Sequence, residues 1–456
     1  MFARGIQKSS VFVRPVTMNF LGLRGQVEGV LGTSSKWTLQ NRMFSAESRE
    51  YMDYVIKSYV PSGPQRTKEE VIRDLIAPKL SNERRKQLIA EVVLLNQPFT
   101  SQEMETILAS FIKNKMYLRI VAFAEYCMDH NLMSSLNETT ILWLLYSCSN
   151  RKDVDVLQRI PQYSLHYLRG RYAFKAKYAR ALFCCGLYDK GMEYMKLFEK
   201  DEFRFSDCNN ILLDGLYLGG YYKQCIEMFD KLKELSLHPK DADTKPPELY
   251  NVGYGAVLKS YCKLKDEEGM NRIMSEMSQK GVIPREDAYY EMCELFDHSE
   301  KWKAKAERVF EVCQQKGVLL SETQKQMISA RAREECFGAG VIVINDYCKK
   351  YDSVLDIHKE AKEFVLQCRE MPESACRMRV LKLFHDMGAK YRWSAMRNYD
   401  IVIRTKVGQE GVKRLLQEDL CPSIPFVVEG YSVRTQFQEV LRWVDRTPFN
   451  FGVFLK

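Results

Sequence analysis

At 456 residues the chain exceeds the roughly 250–300 at which a single hydrophobic core stops growing, so it must divide into domains or extend as an array. Its 46% hydrophobic and 28% charged residues, with a mean hydropathy of −0.34, are those of an ordinary globular protein, and no apolar run approaches the roughly 20 residues that span a bilayer. The net charge of +9 is weak evidence for a nucleic-acid partner, because more than half of it lies in one N-terminal segment.

That segment, residues 1–44, carries Arg4, Lys8, Arg14, Arg24, Lys36 and Arg42 against the single acid Glu28. A basic, hydroxyl-bearing and acid-poor profile is that of a mitochondrial transit peptide. Arg42-Met43-Phe44-Ser45 also has the form of a mitochondrial processing site, so matrix localisation is expected. Residues 45–99 read as a charged helical extension containing EEVIRDLIAPKL and RRKQLIAEVVLL.

From about Thr100 the pattern is helix after helix with short polar breaks, apolar residues recurring at i, i+3 and i+4. Ser101-Gln102-Glu103 caps EMETILASFIKNK, MYLRIVAFAEYCMDHN follows, and Asn137-Glu138 opens TTILWLLYSCSNR, with VDVLQRI behind it. Next comes a repeat. Gly186 and Gly220 are 34 residues apart, as are Tyr188 and Tyr222. A period of this length means a solenoid, since each two-helix unit must stack on its neighbours to bury its apolar face. In the unit spanning Asn209–Lys240, the first helix ends at Gly219-Gly220, and the second sets Cys225, Ile226, Phe229 and Leu232 in one stripe and stops at His238-Pro239. A polar insertion, Lys240–Glu248, separates it from a third unit, Tyr254–Pro284, and a fourth, Tyr290–Ser321, places Gly317 36 residues after Gly281. AGVIVINDYCKKYD, CRMRVLKLFHDMGAK and YDIVIRTKVGQEGVKRLLQ read as further degenerate units, and Gly338-Ala339-Gly340 as a turn between helices.

The 209–240 unit resembles the pentatricopeptide repeat in Asn210, Asp214-Gly215-Leu216, Gly220, Ile226-Glu227-Met228-Phe229 and Pro239. The third unit is similar through Met277, Gly281 and Pro284, and the fourth through Ala306, Phe310 and Gly317. The resemblance implies an all-α fold, a right-handed α-solenoid over residues 100–420, with residues 421–456 as a C-terminal docking tail. It also implies a partner, single-stranded or ribosomal RNA, read at about one base per repeat by two or three side chains. Carried over position by position, the base-contacting residues are Asn210 and Lys240 in the best unit, with Asp207 where a base clamp belongs. In the third unit they are Gly255 and Arg285, with Val252 as clamp, and in the fourth Glu291, Ser321 and Ala288. Of these, Asn210 and Val252 suit base contact, whereas Lys240 and Arg285 suit phosphates.

Electrostatics adds a local footprint. Between Asp155 and Asp189 there is no acid, while Arg159, Arg169, Arg171, Lys175, Lys177 and Arg180 interleave with Tyr163, Tyr167, Tyr172, Phe174 and Tyr178. Cations displace counterions from phosphates and aromatic faces stack unpaired bases. A second basic segment holds Arg377, Arg379, Lys382, Lys390, Arg392 and Arg397, beside Tyr391 and Trp393.

No chemistry-bearing motif accompanies these features. GxxxxGK[ST] and GxGxxG are missing, as is an H-x-E with a later CxxC. The fourteen cysteines form no CxxC pair and read as buried apolar residues, so neither metal nor cofactor nor catalytic residue is expected. The sequence thus predicts a non-catalytic RNA-binding protein of mitochondrial gene expression, a subunit of the mitochondrial ribosome or another ribonucleoprotein. A protein–protein scaffold or assembly factor of a mitochondrial complex, without RNA contact, is the alternative.

Overall fold

The computed structural model describes residues 52–446, except 60–65, 76, 78–80, 115, 134–135, 171, 200–205, 238–247 and 352–354. The expected transit segment 1–44 and its processing site, the chain stop at His238-Pro239, and the apolar tail of Phe449, Phe451, Val453 and Phe454 lie outside the described residues.

Ahead of the longest helix the described residues include α1 (Lys68–Leu75), α2 (Asn82–Leu94), α3 (Ser101–Lys113), α4 (Tyr117–Asp129), α5 (Glu138–Arg151), α6 (Val154–Gly170), α7 (Tyr172–Cys184), α8 (Tyr188–Glu199), α9 (Ser206–Leu218), α10 (Tyr222–Leu237), α11 (Asn251–Lys263), α12 (Glu267–Gln279), α13 (Glu286–Asp297) and α14 (Lys301–Gln315). Local chemistry sets their ends. The cap of α3 falls one residue earlier than the sequence suggests. Thr100 Oγ1 accepts from the Glu103 amide and the Glu103 carboxylate accepts from the Thr100 amide, a reciprocal capping box. Asn137 caps α5 as expected, its side chain accepting from the Thr140 amide at 2.9 Å.

The repeat shows most plainly where first helices close. Lys152, Gly186 and Gly220, spaced by 34 residues, all have positive φ (55°, 80° and 84°) after α5, α7 and α9. In the two glycine closures the following amide reaches five residues back, Leu187 to Leu182 O and Tyr221 to Leu216 O, both at 2.9 Å. The closure recurs at Lys265 after α11, where the Asp266 amide reaches Tyr261 O at 3.0 Å. Gly281 and Gly317 close second helices in the same left-handed region. First helices stack directly on one another, α5 on α7, α7 on α9, α9 on α11 and α11 on α13. At Gly215 a β-carbon would lie 2.8 Å from the Arg180 Cα, so a side chain there would push α9 off α7.

Beyond the fourth unit the chain leaves the repeat pattern. The expected turn at Gly338-Ala339-Gly340 lies instead inside α15 (Glu322–Tyr351), a 30-residue helix. Gly340 is there because a β-carbon would overlap the Met378 sulfur of the next helix. Then follow β1 (Leu355–His358), β2 (Glu363–Cys368), α16 (Glu373–Tyr391), β3 (Asp400–Thr405), α17 (Gln409–Arg414), β4 (Val427–Glu429), β5 (Ser432–Gln436) and α18 (Phe437–Arg446). The strands form one sheet in the order β1-β2-β3-β5-β4, parallel only between β2 and β3.

The described chain is therefore mostly helical and solenoidal through α14, as expected, while residues 355–446 form an α/β unit that takes the place of the last degenerate repeats. The reading of YDIVIRTKVGQEGVKRLLQ as helical fails at Ile401-Val402-Ile403, three buried β-branched residues that pack well in a pleated strand with parallel pairing on one edge. Likewise residues 427–446 form two strands and a helix packed in the core rather than a tail. Gly388 meets Val444 across α16 and α18.

Candidate nucleic-acid interface

The candidate surface is the row of stacked first helices α7, α9, α11 and α13. On α7, apolar Phe174, Tyr178, Ala181 and Leu182 turn into the core, leaving Lys175, Lys177 and Arg180 half-buried at its margin. Lys175 Nζ lies 4.8 Å from the centre of the Tyr172 ring. Among the described residues no carboxylate pairs with Lys175 or Lys177. Arg180 differs. Its Nε donates to Asp214 on α9 at 2.8 Å. Burial alone would lower its pKa, but Asp214 holds it above the usual arginine value.

The wall beyond α9 repeats this cross-helix pairing. Lys259 on α11 donates to Asp287 on α13 at 2.6 Å and sits 4.3 Å from the centre of the Tyr217 ring. Burial pushes the Asp287 carboxyl up, yet the Lys259 ammonium brings it below the usual aspartate range. Lys263 lies between Glu291 at 2.5 Å and Glu294 at 3.1 Å; burial disfavours its charge and the two carboxylates restore it and more. Tyr217 Oη donates to Glu291 at 3.2 Å, joining α9 to α13. A shallow cavity of about 210 Å³ opens beside this group, lined by Lys263, Lys265, Glu291, Glu294 and His298.

The base-contacting positions expected from the sequence are used differently. Asn210 is 4% exposed: its Oδ1 accepts from the Tyr250 and Gly253 amides at 2.9 and 3.0 Å, and its Nδ2 donates to Ser206 O and Glu248 O. All four hydrogen-bonding positions of the amide are filled, so none is left for a base edge. Glu291 is buried in the lysine pair, Gly255 is buried within α11, and Ala288 is buried in α13. Val252 is half-buried at the start of α11, and Asp207 and Ser321 are exposed. Arg285 is exposed, its Nε 3.7 Å from Asp287. Arg171 and Lys240, and the side chain of Arg169, lie outside the described residues.

The second basic segment separates into two parts. Arg377 and Arg379 are 3% and 5% exposed and belong to the interior, Arg377 bridging Asp297 and Asp419. Lys382 pairs with Asp386 one turn on, and Arg392 with Asp445 at 2.5 Å. Only Lys390 and Arg397 stay exposed and outside any ion pair among the described residues. The spacing of charges in the sequence could not reveal this, since both acids that hold Arg377 are more than forty residues away.

No family model matches the chain, and no curated protein matches it. Among solved structures, the chain is similar to the pentatricopeptide repeat protein PPR10 from maize, at 13% identity over 84% of this chain and 56% of that one, with a TM-score of 0.34. It is also similar to PPR10 in complex with an 18-nt psaJ RNA element, at 16% identity over 67% and 51% of the two chains, TM-score 0.28. The chain spans about half the length of these structures.

Proposed function

We propose that this chain is a pentatricopeptide-type helical-repeat protein that binds RNA without catalysis and serves mitochondrial gene expression in the matrix, as a subunit of the mitochondrial ribosome or another ribonucleoprotein. The observation that carries the reading is the margin of α7, a helix with no acid of its own, where Lys175 stands over Tyr172 and neither Lys175 nor Lys177 is paired with a described carboxylate. Such a margin contacts phosphates and stacks bases without choosing among sequences. The amide of Asn210 and the carboxylate of Glu291 are committed to the fold, so contact follows backbone and shape rather than a base-by-base code. Organelle import rests on the basic segment 1–44 and its processing motif.

Affinity of the full chain for a single-stranded RNA, measured against salt concentration, tests this. Binding should weaken steeply with salt, and Lys175→Glu with Lys177→Glu should lower both affinity and salt slope. Undiminished binding by the double variant sinks the role of α7. A second reading, a protein–protein scaffold, is favoured by the paired charges Arg180–Asp214, Lys259–Asp287 and Lys263–Glu291, which leave much of the wall electrically balanced. It prevails if the full chain shows no RNA binding at low salt.

A further inference from the structure

The N-terminal end of the two parallel strands carries a surface that the repeats do not. Trp393, in the connection from α16 to β3, is 88% exposed, and a large indole left in water is uncommon away from a binding surface. Its connection is tightly built. The Ser394 amide bonds to Tyr391 O, the Tyr399 amide to Met396 O, and the Tyr391 and Tyr399 rings both rest on Phe364 at the start of β2, 5.3 and 5.4 Å away. The indole thus sits on a rigid base.

Four cations belong to the same end of the sheet. Lys390 and Arg397 flank Trp393 in the chain, both exposed, and Lys390 Nζ lies 5.1 Å from the centre of the Tyr391 ring. The β1–β2 turn adds Lys359 and Lys362, because the Asp400 amide bonds to Lys362 O at 3.0 Å and the Lys362 amide to Lys359 O. None of these four cations forms an ion pair among the described residues. The carboxylates at this end face other partners: Arg434 is shared by Glu363, Asp400 and Glu429 at 2.8, 3.0 and 3.3 Å, and Arg392 takes Asp445, while Glu360 stands exposed in the turn itself.

We propose that this end of the sheet is a second contact for single-stranded RNA, with a base stacked on Trp393 and the adjoining phosphates held by Lys359, Lys362, Lys390 and Arg397. An acidic protein segment would satisfy the cations and would need a separate apolar side chain to cover the indole, whereas a nucleotide supplies a ring face and a charge in one unit. The proposal shares with the reading of the α7 margin only the class of partner. It places the strand's path beyond the repeats, across the α/β unit.

Fluorescence anisotropy of a labelled oligouridine on the full chain tests it, using Trp393→Ala, the pair Lys390→Glu/Arg397→Glu, and the α7 pair Lys175→Glu/Lys177→Glu. Trp393→Ala should lower affinity about tenfold with the salt slope unchanged, as expected for loss of one stacked base. The Lys390/Arg397 pair should lower the salt slope. Irradiating a complex with 5-bromouridine RNA should crosslink Trp393. Loss in the α7 pair alone, with Trp393→Ala binding as the parent does and no crosslink, overturns this proposal and leaves the α7 margin standing. Loss in the Trp393 and Lys390/Arg397 variants alone does the reverse. Unchanged RNA binding by all three, with an acidic partner protein released by Trp393→Ala, overturns it in favour of a protein contact.

Discussion

Arg377 on α16 clasps Asp419, two buried charges that join the helix to the segment after α17, and its other nitrogen takes Asp297 at the end of α13. Arg333 of α15 also reaches Asp419, and Ser374 donates to Asp297 at 2.8 Å. The repeat array and the α/β unit are therefore welded by one buried polar network. Arg377→Ala removes the only cation paired with Asp297 among the described residues and leaves Asp419 to Arg333 alone, an event that costs about 3–5 kcal/mol. Urea unfolding should show that loss, together with exposure of the α/β unit to protease. A change below about 1 kcal/mol would mean that water or another cation takes over.

Asn210 makes the sharpest distinction between reading a base and building a helix. Its Oδ1 holds the Tyr250 and Gly253 amides at the start of α11, so Asn210→Ala orphans donors at a helix N-terminus as well as two carbonyls. The expected result is destabilisation of about 1–3 kcal/mol with RNA affinity per folded molecule unchanged. Parallel chemical unfolding and RNA titration check it. Reduced affinity in a variant of parental stability would restore the base-reading role.

The array was legible in the sequence where backbone geometry restricts residue choice. Gly186, Gly220, Gly281 and Gly317 stand at positive φ, and their spacing exposes the repeat. Lys152 and Lys265 close first helices in the same way without glycine, so those two closures carry no such mark. The α/β unit was hidden because its helix α16 has the same apolar content as a repeat helix, and its strands are only three to six residues long. A short apolar run fits a buried strand or a buried helix alike. The candidate site was least legible, since spacing shows that Arg180, Arg377 and Lys263 are cations but not that Asp214, Asp297 and Glu291 sit against them.

Gly215 tests how closely the first helices must stack. Its missing side chain lets α9 approach the α7 backbone at Arg180, and the ion pair to Asp214 forms beside that contact. Gly215→Ala replaces a helix-unfriendly residue with the best helix former, which in an exposed helix would stabilise by up to about 1 kcal/mol. Overpacking against a backbone should override that gain and destabilise by about 1–3 kcal/mol. A rise in melting temperature would show instead that the two helices can slide apart freely.

Glu334 of α15 offers a test through pH. It is 3% exposed, and burial raises its carboxyl to about 8, with Arg331 opposing only weakly. A folded-state value above the unfolded one means that the native protein binds the extra proton between them. Its contribution is thus favourable at low pH, falls as pH rises from about 4.5 to about 8, and levels off above that. Glu334→Gln removes the titration while keeping the shape. The variant should match the parent near pH 4 and exceed it by roughly 4 kcal/mol at pH 8.5. Urea unfolding of both proteins across that range reads the difference. A constant gap between the two curves would show that Glu334 ionises alike in the folded and unfolded chain, and would remove burial as the force acting on it.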